Sequence, residues 1–525
     1  MKIINKINTV LAFTMLMSSC SDFLDTLPDN RTELNSVEKI TSLLVSAYPT
    51  KGYVLLTEMA SDNVMDNGTL YSPYNQEQDD SYHWADIKTV GTDSPQSLWD
   101  ALYTAIASAN HALEAIELMG NPKNLEAQKG EALLCRAYGH FVLATVFCEA
   151  YDPATADKKL GIPYVSKPEK EVKPVYNRGT LAETYASINA DIEAGLPLID
   201  DNIYRVPKYH FNRKAAYAFA ARFNLFYVQA DKSNYEKVIQ YANMVLGSNP
   251  SKLLRAWESD FGSLSSTTDV GNTYISPKSP ANLLIMPIYS TWTYVYGPYS
   301  VGQRYNHAKV ICDTETTRSK GLWKSNSLVI SNTIWNPQEK MPFPKMISMF
   351  EYTDKVNGIG YVHAVTIPFT TDETLLCRAE AYALKSTPDF ANAVQDINYW
   401  IQSHSEANAN PIFTQEQIVK FYTDLPIVPV PVNAPTERGV KKALNPLGFT
   451  FTSPIQENII QCVLHLRRIE TIHEGMRWFD IKRYGIEFSH NIDGAAPVVL
   501  SKNDPRRAIQ LPQDVISAGL EANPR

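Results

Sequence analysis

Apolar residues recur at helical spacing through most of this chain. Val37, Ile40, Leu43, Leu44 and Ala47 share one face of a predicted helix over 34–48. Pro95 to Met119 predicts a second helix, on which Trp99, Tyr103, Ile106 and Asn110 fall at intervals of four, three and four. Asn110, polar and mid-helix, is expected to bond to the backbone of the neighbouring helix, with a ligand contact as the alternative. Further helices are predicted over 125–151, 180–199, 212–229, 371–403 and from 457 onward. The pattern breaks in two tracts. Residues 250–368 and 406–453 are rich in Pro, Gly, Ser, Thr and Asn, and the first is too long for a simple loop. It is expected to form an irregular subdomain with short strands. A mostly irregular tail is expected from Gly494 to Arg525.

One helical segment repeats. Glu131-Ala-Leu-Leu-Cys-Arg-Ala137 returns as Glu373-Thr-Leu-Leu-Cys-Arg-Ala379, with a looser version at Ala218–Tyr227. Small residues let helices approach closely. The second and third segments each lead through a short polar turn into another helix, the arrangement of tetratricopeptide repeats in degenerate form.

Composition narrows the function. Of 525 residues, 44% are hydrophobic and 20% charged, as in folded globular chains. A net charge of -8 argues against nucleic-acid binding, which favours a basic surface. The 29 Tyr and 8 Trp are suited to wet binding surfaces as well as to core edges. Five cysteines after Cys20 (Cys135, Cys148, Cys312, Cys377, Cys462) have no Cys-x-x-Cys spacing, so no zinc or dithiol site is expected, and no disulfide pairing can be assigned.

The chain starts with Lys2 and Lys6, a short apolar run over Val10–Met17, and then Ser18-Ser19-Cys20. That run is too short to span a bilayer. It reads as a signal peptide over 1–19 whose last small residues resemble a lipobox, making Cys20 the lipidation site. More than one acyl chain anchors a protein stably.

The most distinctive stretch is Leu466–Gly485. Leu466, Ile469 and Ile472 make an apolar stripe among Arg467, Arg468, Glu470 and Glu474; Gly475 is the expected helix stop. Trp478 and Phe479 then sit among Arg477, Asp480, Lys482 and Arg483, so the segment is expected to be buried with its charges paired. His473-Glu474 lacks the second His, four residues after the first, that a zinc-protease helix requires; Arg477 stands there. The pattern Arg467-Arg468-x-Glu470-x-x-x-Glu474-Gly475-x-Arg477-Trp478-Phe479-Asp480-x-x-Arg483-Tyr484-Gly485 resembles the C-terminal signature of the SusD/RagB family. Cys20-Ser21-Asp22-Phe23-Leu24-Asp25, Glu58-Met59-Ala60-Ser61-Asp62-Asn63 and Trp99-x-x-x-Tyr103-x-x-Ile106-x-x-x-Asn110 are similar to earlier segments of that family.

The resemblance implies a mainly α, tetratricopeptide-like scaffold with an irregular loop-rich part. It divides the chain into a signal peptide (1–19), an N-terminal helical part (20–250), a ligand-binding part (251–370) and a C-terminal part (371–525). It also implies a lipoprotein on the outer-membrane surface that binds glycan without catalysis or cofactor and delivers it to a SusC-like TonB-dependent transporter. That partner is expected to meet the helical-repeat face. A peptide-binding relative and a surface glycoside hydrolase are the alternatives. Aromatic rings stack on sugar faces while amides and charges bond hydroxyls, so two tracts are candidate glycan contacts. One holds Tyr71, Tyr74, Asn75 and Trp84. The other holds Trp292, Tyr294, Tyr296 and Tyr299, with Arg304 and Trp323. Alternation at 292, 294 and 296 would place three rings on one face of a strand. No metal site is expected.

Overall fold

The structure, a computed structural model, describes residues 34–171, 174–324, 327–334, 340–406, 409 and 411–525. The signal peptide and Cys20 lie outside the described residues. The described chain is mainly helical. In order its α-helices are α1 (Val37–Leu44), α2 (Val54–Ala60), α3 (Gln76–Tyr82), α4 (Pro95–Leu118), α5 (Glu126–Phe147), α6 (Leu181–Gly195), α7 (Arg213–Phe226), α8 (Ser233–Leu246), α9 (Trp257–Phe261), α10 (Thr267–Tyr274), α11 (Trp292–Tyr296), α12 (Lys309–Glu315), α13 (Thr371–Leu384), α14 (Phe390–His404), α15 (Gln415–Asp424), α16 (Pro454–Glu470), α17 (Arg477–Arg483) and α18 (Gln513–Ser517). Starts are set by side-chain caps: Ser94, Thr180, Asn212, Thr370 and Ser453 each accept a backbone N–H of the first turn.

Helices α4 to α6 pack in sequence, as do α7, α8, α13 and α14, and α16 lies across α13 and α14. The sequence repeat is a repeat of contacts. Arg136 on α5 forms a bidentate pair with Asp191 on α6 and donates to Asn110 Oδ1 on α4. Arg378 on α13 pairs in the same way with Asp396 on α14 and donates to Asn243 Oδ1 on α8. Asn110 also donates to the Val165 carbonyl, so its polar side chain is spent on structure. Two helix pairs of the scaffold are thus pinned by the same Arg–Asp–Asn triad, with the Arg and Asp of each buried.

Three small antiparallel sheets lie within the described residues. A three-stranded sheet has the order β2 (Asn282–Ile288), β5 (Ile359–Thr370), β4 (Met349–Asp354). The other two pair β1 (Met65–Asp66) with β3 (Tyr305–Asn306), and β6 (Phe488–Ile492) with β7 (Ala495–Leu500). The hairpins β4–β5 and β6–β7 turn through Asn357-Gly358 and Asp493-Gly494, with both glycines at positive φ. The tail beyond Gly494 is mostly irregular, as expected, and holds one strand paired through the Asp-Gly hairpin turn, a 3-10 turn and one short helix. One expectation is corrected. The tract 406–453 contains α15, opened by a Thr414–Gln417 capping box.

The 466–485 stretch is buried nearly throughout. Its helix ends at Glu470, five residues before Gly475, and a tight turn joins α16 to α17. Gly475 has φ +74°, and a Cβ there would lie 2.3 Å from Thr57 Oγ1, so α2 approaches this turn as only glycine permits. Glu58 on α2 accepts the His473 and Gly475 N–H groups, at 2.9 and 3.1 Å. Asp62 chelates Arg477 and faces Arg468, 3.5 Å away. Asn63 accepts from Arg468, which also reaches Glu315 at 2.7 Å. Arg467 lies between Asp480 (3.0 Å), Glu373 (3.3 Å) and Glu380 (4.0 Å). Burial alone would raise the Asp62 carboxyl, but Arg468 and Arg477 hold it far below its usual range. All five cysteines after Cys20 are buried and free.

Arg467→Met leaves Glu373, Glu380 and Asp480 buried without their shared cation. It is expected to cost about 3–5 kcal/mol, read as a lower urea midpoint. Glu58 has the opposite electrostatic sign to Asp62. Burial raises its carboxyl to about 7, more than the His473, Gly475 and Asn63 donors lower it. The folded chain then holds a proton that the unfolded chain has lost, so this group's stabilising share declines as pH rises from the ordinary glutamate range to about 7. Glu58→Gln should flatten the stability profile between pH 5 and 7, as followed by denaturant titration at each pH.

Candidate functional site

The site forms where three chain segments meet on the irregular side. The first is 49–52. Tyr289, just past β2, donates its N–H to the Thr50 carbonyl at 2.8 Å. Gly52 runs so close to this strand that a Cβ would lie 2.7 Å from Ile288 Cδ1. That contact lays Lys51 alongside Tyr289, its Nζ 5.8 Å from the ring centroid.

The second segment is 289–299, fixed from below by a buried carboxylate. Asp93 accepts from Ser290 Oγ at 2.5 Å and from both the N–H and the hydroxyl of Thr291, at 2.8 and 2.7 Å. Burial raises the Asp93 carboxyl, and the Ser290 and Thr291 donors offset only part of that. Thr291 leads straight into α11. Behind it, buried Lys340 donates to the carbonyls of Val295 and Val301, at 2.8 and 2.7 Å, and burial pushes this amine down to about 7.

The third segment is the loop before α3. The Tyr74 N–H donates to Gln78 Oε1, and Gln78 Nε2 donates to the carbonyls of Gly302 and Tyr305. Tyr305 in turn donates to Asp79, 2.7 Å away. The loop that carries Tyr74 is therefore tied to the end of the second segment through one glutamine.

Between these segments and the β4–β5 hairpin opens a cleft of roughly 640 Å³, lined by Lys51, Tyr74, Thr92, Tyr289, Ser290, Thr291, Tyr294, Tyr361 and Val362. Tyr289 and Tyr361 meet edge to face with centroids 5.8 Å apart. Tyr299, half exposed, packs on Tyr294 at 5.5 Å and extends the aromatic wall outward. Lys51 is the one charged side chain of the lining. Burial lowers its ammonium, partly opposed by Asp93.

Of the ten candidate contact residues, Tyr74 and Tyr294 line this cleft and Tyr299 stands beside it. Tyr71 is half-buried on the same loop as Tyr74 but outside the lining. Four aromatics are corrected to core positions. Trp84 is buried, donates to the Ala60 carbonyl and stacks on His490. Trp292 and Tyr296 are 2% and 1% exposed; Trp292 donates to the His473 carbonyl, and Tyr296 both donates to and accepts from Met346 backbone. Trp323 is buried against Trp400 and His465. The reason for the 292–296 error is periodicity. The segment is a short helix, where residues two apart point about 200° apart and residues four apart share a face. Trp292 and Tyr296 therefore point together into the core, and Tyr294 alone points out. Asn75 caps α3 by accepting the Gln78 N–H, and Arg304 pairs with Asp66 at 3.4 Å, so both serve the frame.

Lys51, Tyr289 and Tyr361 were not among the candidates. For Tyr361 a signal existed: it follows the Asn357-Gly358 hairpin turn on a strand. Lys51 had none, because nothing local says that residues 49–52 run beside β2.

Asp372, His404 and Glu470 place ligand-type atoms within 4.8 Å of one another, deep among α13, α14 and α16. These groups have protein partners: Glu470 Oε2 meets Trp400 Nε1 at 2.8 Å and His404 Nε2 at 2.9 Å, and Asp372 accepts the Arg255 N–H. The cluster reads as a buried polar junction between repeat helices.

The sequence matches two family models, one described as "SusD-like_3: Starch-binding associating with outer membrane" over residues 22–225 and one as "SusD family" over residues 287–514. No curated protein matches it significantly. Among solved structures, a SusD superfamily protein of Bacteroides fragilis is 16% identical with a TM-score of 0.63, covering 93% of this chain and 99% of its own. One from Bacteroides thetaiotaomicron is 16% identical with a TM-score of 0.60, covering 93% and 98%. A SusD-like carbohydrate binding protein of Bacteroides vulgatus is 15% identical with a TM-score of 0.56, covering 92% and 96%. At these identities the likeness is one of fold.

Core and cleft positions should separate cleanly on substitution. Trp292→Ala is expected to cost about 3–5 kcal/mol as a cavity in the floor. Tyr294→Ala, two residues away, should stay within about 1 kcal/mol of the parent chain. Paired urea titrations check both.

Proposed function

The chain belongs to the SusD family, and on that premise we propose that it binds an oligosaccharide in the tyrosine-lined cleft and passes it on unchanged. The observation that carries this reading is the chemistry of the lining. Four tyrosine rings supply apolar faces of the size of a sugar ring, and the tyrosine hydroxyls, the Thr92 hydroxyl and the Lys51 ammonium supply hydrogen-bonding edges. Among the described residues of the lining there is no carboxylate and no histidine. Asp93, the nearest acid of the floor, is committed to three donors from Ser290 and Thr291. Glycoside hydrolysis ordinarily needs two carboxyl groups flanking the bond, so this lining favours capture over cleavage.

In this reading acyl chains on Cys20 hold the protein at the outer membrane, facing the cell exterior. The broad helical-repeat face meets a SusC-like TonB-dependent transporter, which takes the glycan onward. Among the described residues no helix is long and apolar enough to cross a membrane.

The test is native electrophoresis through gels cast with single polysaccharides of plant, microbial and host origin, with reducing ends assayed in parallel. Retardation by at least one polysaccharide without new reducing ends is expected. It should weaken about tenfold or more in Tyr289→Ala and in Tyr294→Ala, since loss of a stacking ring costs on the order of 1–3 kcal/mol. New reducing ends would overturn non-catalytic capture. Retardation indifferent to both substitutions would place the ligand elsewhere.

A further inference from the structure

Among the described residues, Lys51 is unlike the other desolvated lysines. Buried Lys340 donates to two carbonyls, and Lys482 donates to the carbonyls of Thr145 and Cys148, both at 2.6 Å. Lys442 reaches Glu315 at 2.8 Å. Lys345 donates to the Glu470 carbonyl and to Glu474. Each ammonium removed from water has an oxygen to meet, as the cost of burying a charge requires. Lys51 is half-buried in the cleft, yet among the described residues its Nζ has neither a hydrogen-bond acceptor nor a carboxylate within salt-bridge distance. Asp93 lies close enough to be felt, but its oxygens are taken by Ser290 and Thr291 from beneath the floor. The ammonium lies over the Tyr289 ring, 5.8 Å from its centroid, on a residue that lines the cleft.

Resting on the reading of this cleft as a sugar site, we propose that its ligand is an anionic glycan, which sets a carboxylate or sulfate on Lys51 while a neighbouring ring face lies against Tyr289 and Tyr361. Two features fit that chemistry together. Among its described residues the lining holds one cation and no anion, and Asp93, the acid beneath it, is neutralised in part by three donors from Ser290 and Thr291. Thr92 places a hydroxyl at the same cleft, able to join the shell of an oxyanion, whereas the Thr291 hydroxyl is spent on Asp93. The chain as a whole is acidic, with a net charge of -8, which opposes a polyanion and makes its retention depend on the local cation. At 0.1 M salt the remote charges are screened beyond about 10 Å, whereas a contact inside the cleft is not. A neutral glycan would leave this ammonium as poorly partnered as before.

The test uses the full-length chain in detergent. Affinity gels are cast with polygalacturonate, alginate, hyaluronan, chondroitin sulfate or heparin, and in parallel with starch, xylan, galactomannan or yeast mannan. Methyl-esterified polygalacturonate and desulfated chondroitin serve as charge-removed partners. At least one acidic polymer is expected to retard the protein. Lys51→Met should weaken that retention roughly ten- to a hundredfold, the worth of a hydrogen bond to a charged group, while Lys51→Arg keeps most of it. Loss on esterification assigns a carboxylate to Lys51; loss on desulfation assigns a sulfate. Retention by a neutral polymer that depends on Tyr289 and is the same in Lys51→Met overturns the anionic ligand and leaves sugar capture standing. Retention by an acidic polymer that is indifferent to Lys51→Met overturns the assignment as well. Retention by none of the nine polymers overturns the sugar reading itself, and this inference with it.

Discussion

The turn between α16 and α17 organises the molecule through buried charge. Arg467, Arg468, Arg477 and Arg483 enter the interior within seventeen residues, and each meets a carboxylate from a distant part of the chain. Asp62 comes from the segment after α2, Glu315 from the end of α12, and Glu373 and Glu380 from the repeat helix α13. An arginine taken out of water without its partner is costly, so none of these segments can settle elsewhere without stranding a charge. Hydrophobic burial supplies the bulk of the driving force. The ionic lattice adds register, because a bidentate pair such as Arg477–Asp62 accepts one orientation where apolar contact accepts several.

That lattice also connects the scaffold to the cleft. His473, in the α16–α17 turn, lies against Trp292 and Tyr296, the two rings on the inner face of α11. These belong to a small apolar cluster with Val54, Leu55, Met59, Tyr82, Tyr305 and Met346, separate from the main core and directly beneath the site. Tyr294 therefore stands on a floor whose underside is fixed by the same turn that gathers the arginines. The segment carrying it is only a five-residue helix, too short to be stable alone. Its order comes from Asp93 at one end and Lys340 at the other.

Much of the scaffold was readable because its signals are local. The helical periodicity of 95–119 and 125–151 was enough to place α4 and α5, and the recurring Glu-x-Leu-Leu-Cys-Arg-Ala segment marked the two helices that bear the Arg–Asp–Asn triads. The pairing of the 466–485 charges was readable as a necessity of burial, though not the identity of the partners. The site was less readable because its signals are tertiary. Trp-Thr-Tyr-Val-Tyr at 292–296 has strand propensity and strand alternation, yet Asp93 captures Ser290 and Thr291 and the chain leaves as a helix. The same aromatic richness that suggested a binding face then supplied its floor. Trp84 and Trp323 misled for a related reason: a tryptophan beside a polar loop is as often the loop's anchor as its ligand contact.

The tyrosines that do reach the cleft share a property that the buried tryptophans lack. Each lies on a segment held at its backbone rather than by its ring: Tyr289 through Thr50, Tyr294 through the Asp93 and Lys340 contacts that frame α11, Tyr74 through Gln78, and Tyr361 through the β4–β5 ladder. Where the main chain carries the fixing contacts, the outward side chain is released from structural duty. Exchanging such a ring changes the wall of the cleft and leaves the frame intact. Trp292 and Tyr296 have no such freedom, because their rings are themselves the fixing contacts. The division between frame and cleft thus runs residue by residue along 289–299. That is why the segment reads as uniformly aromatic and behaves as two interleaved sets, one holding the fold and one facing the cleft.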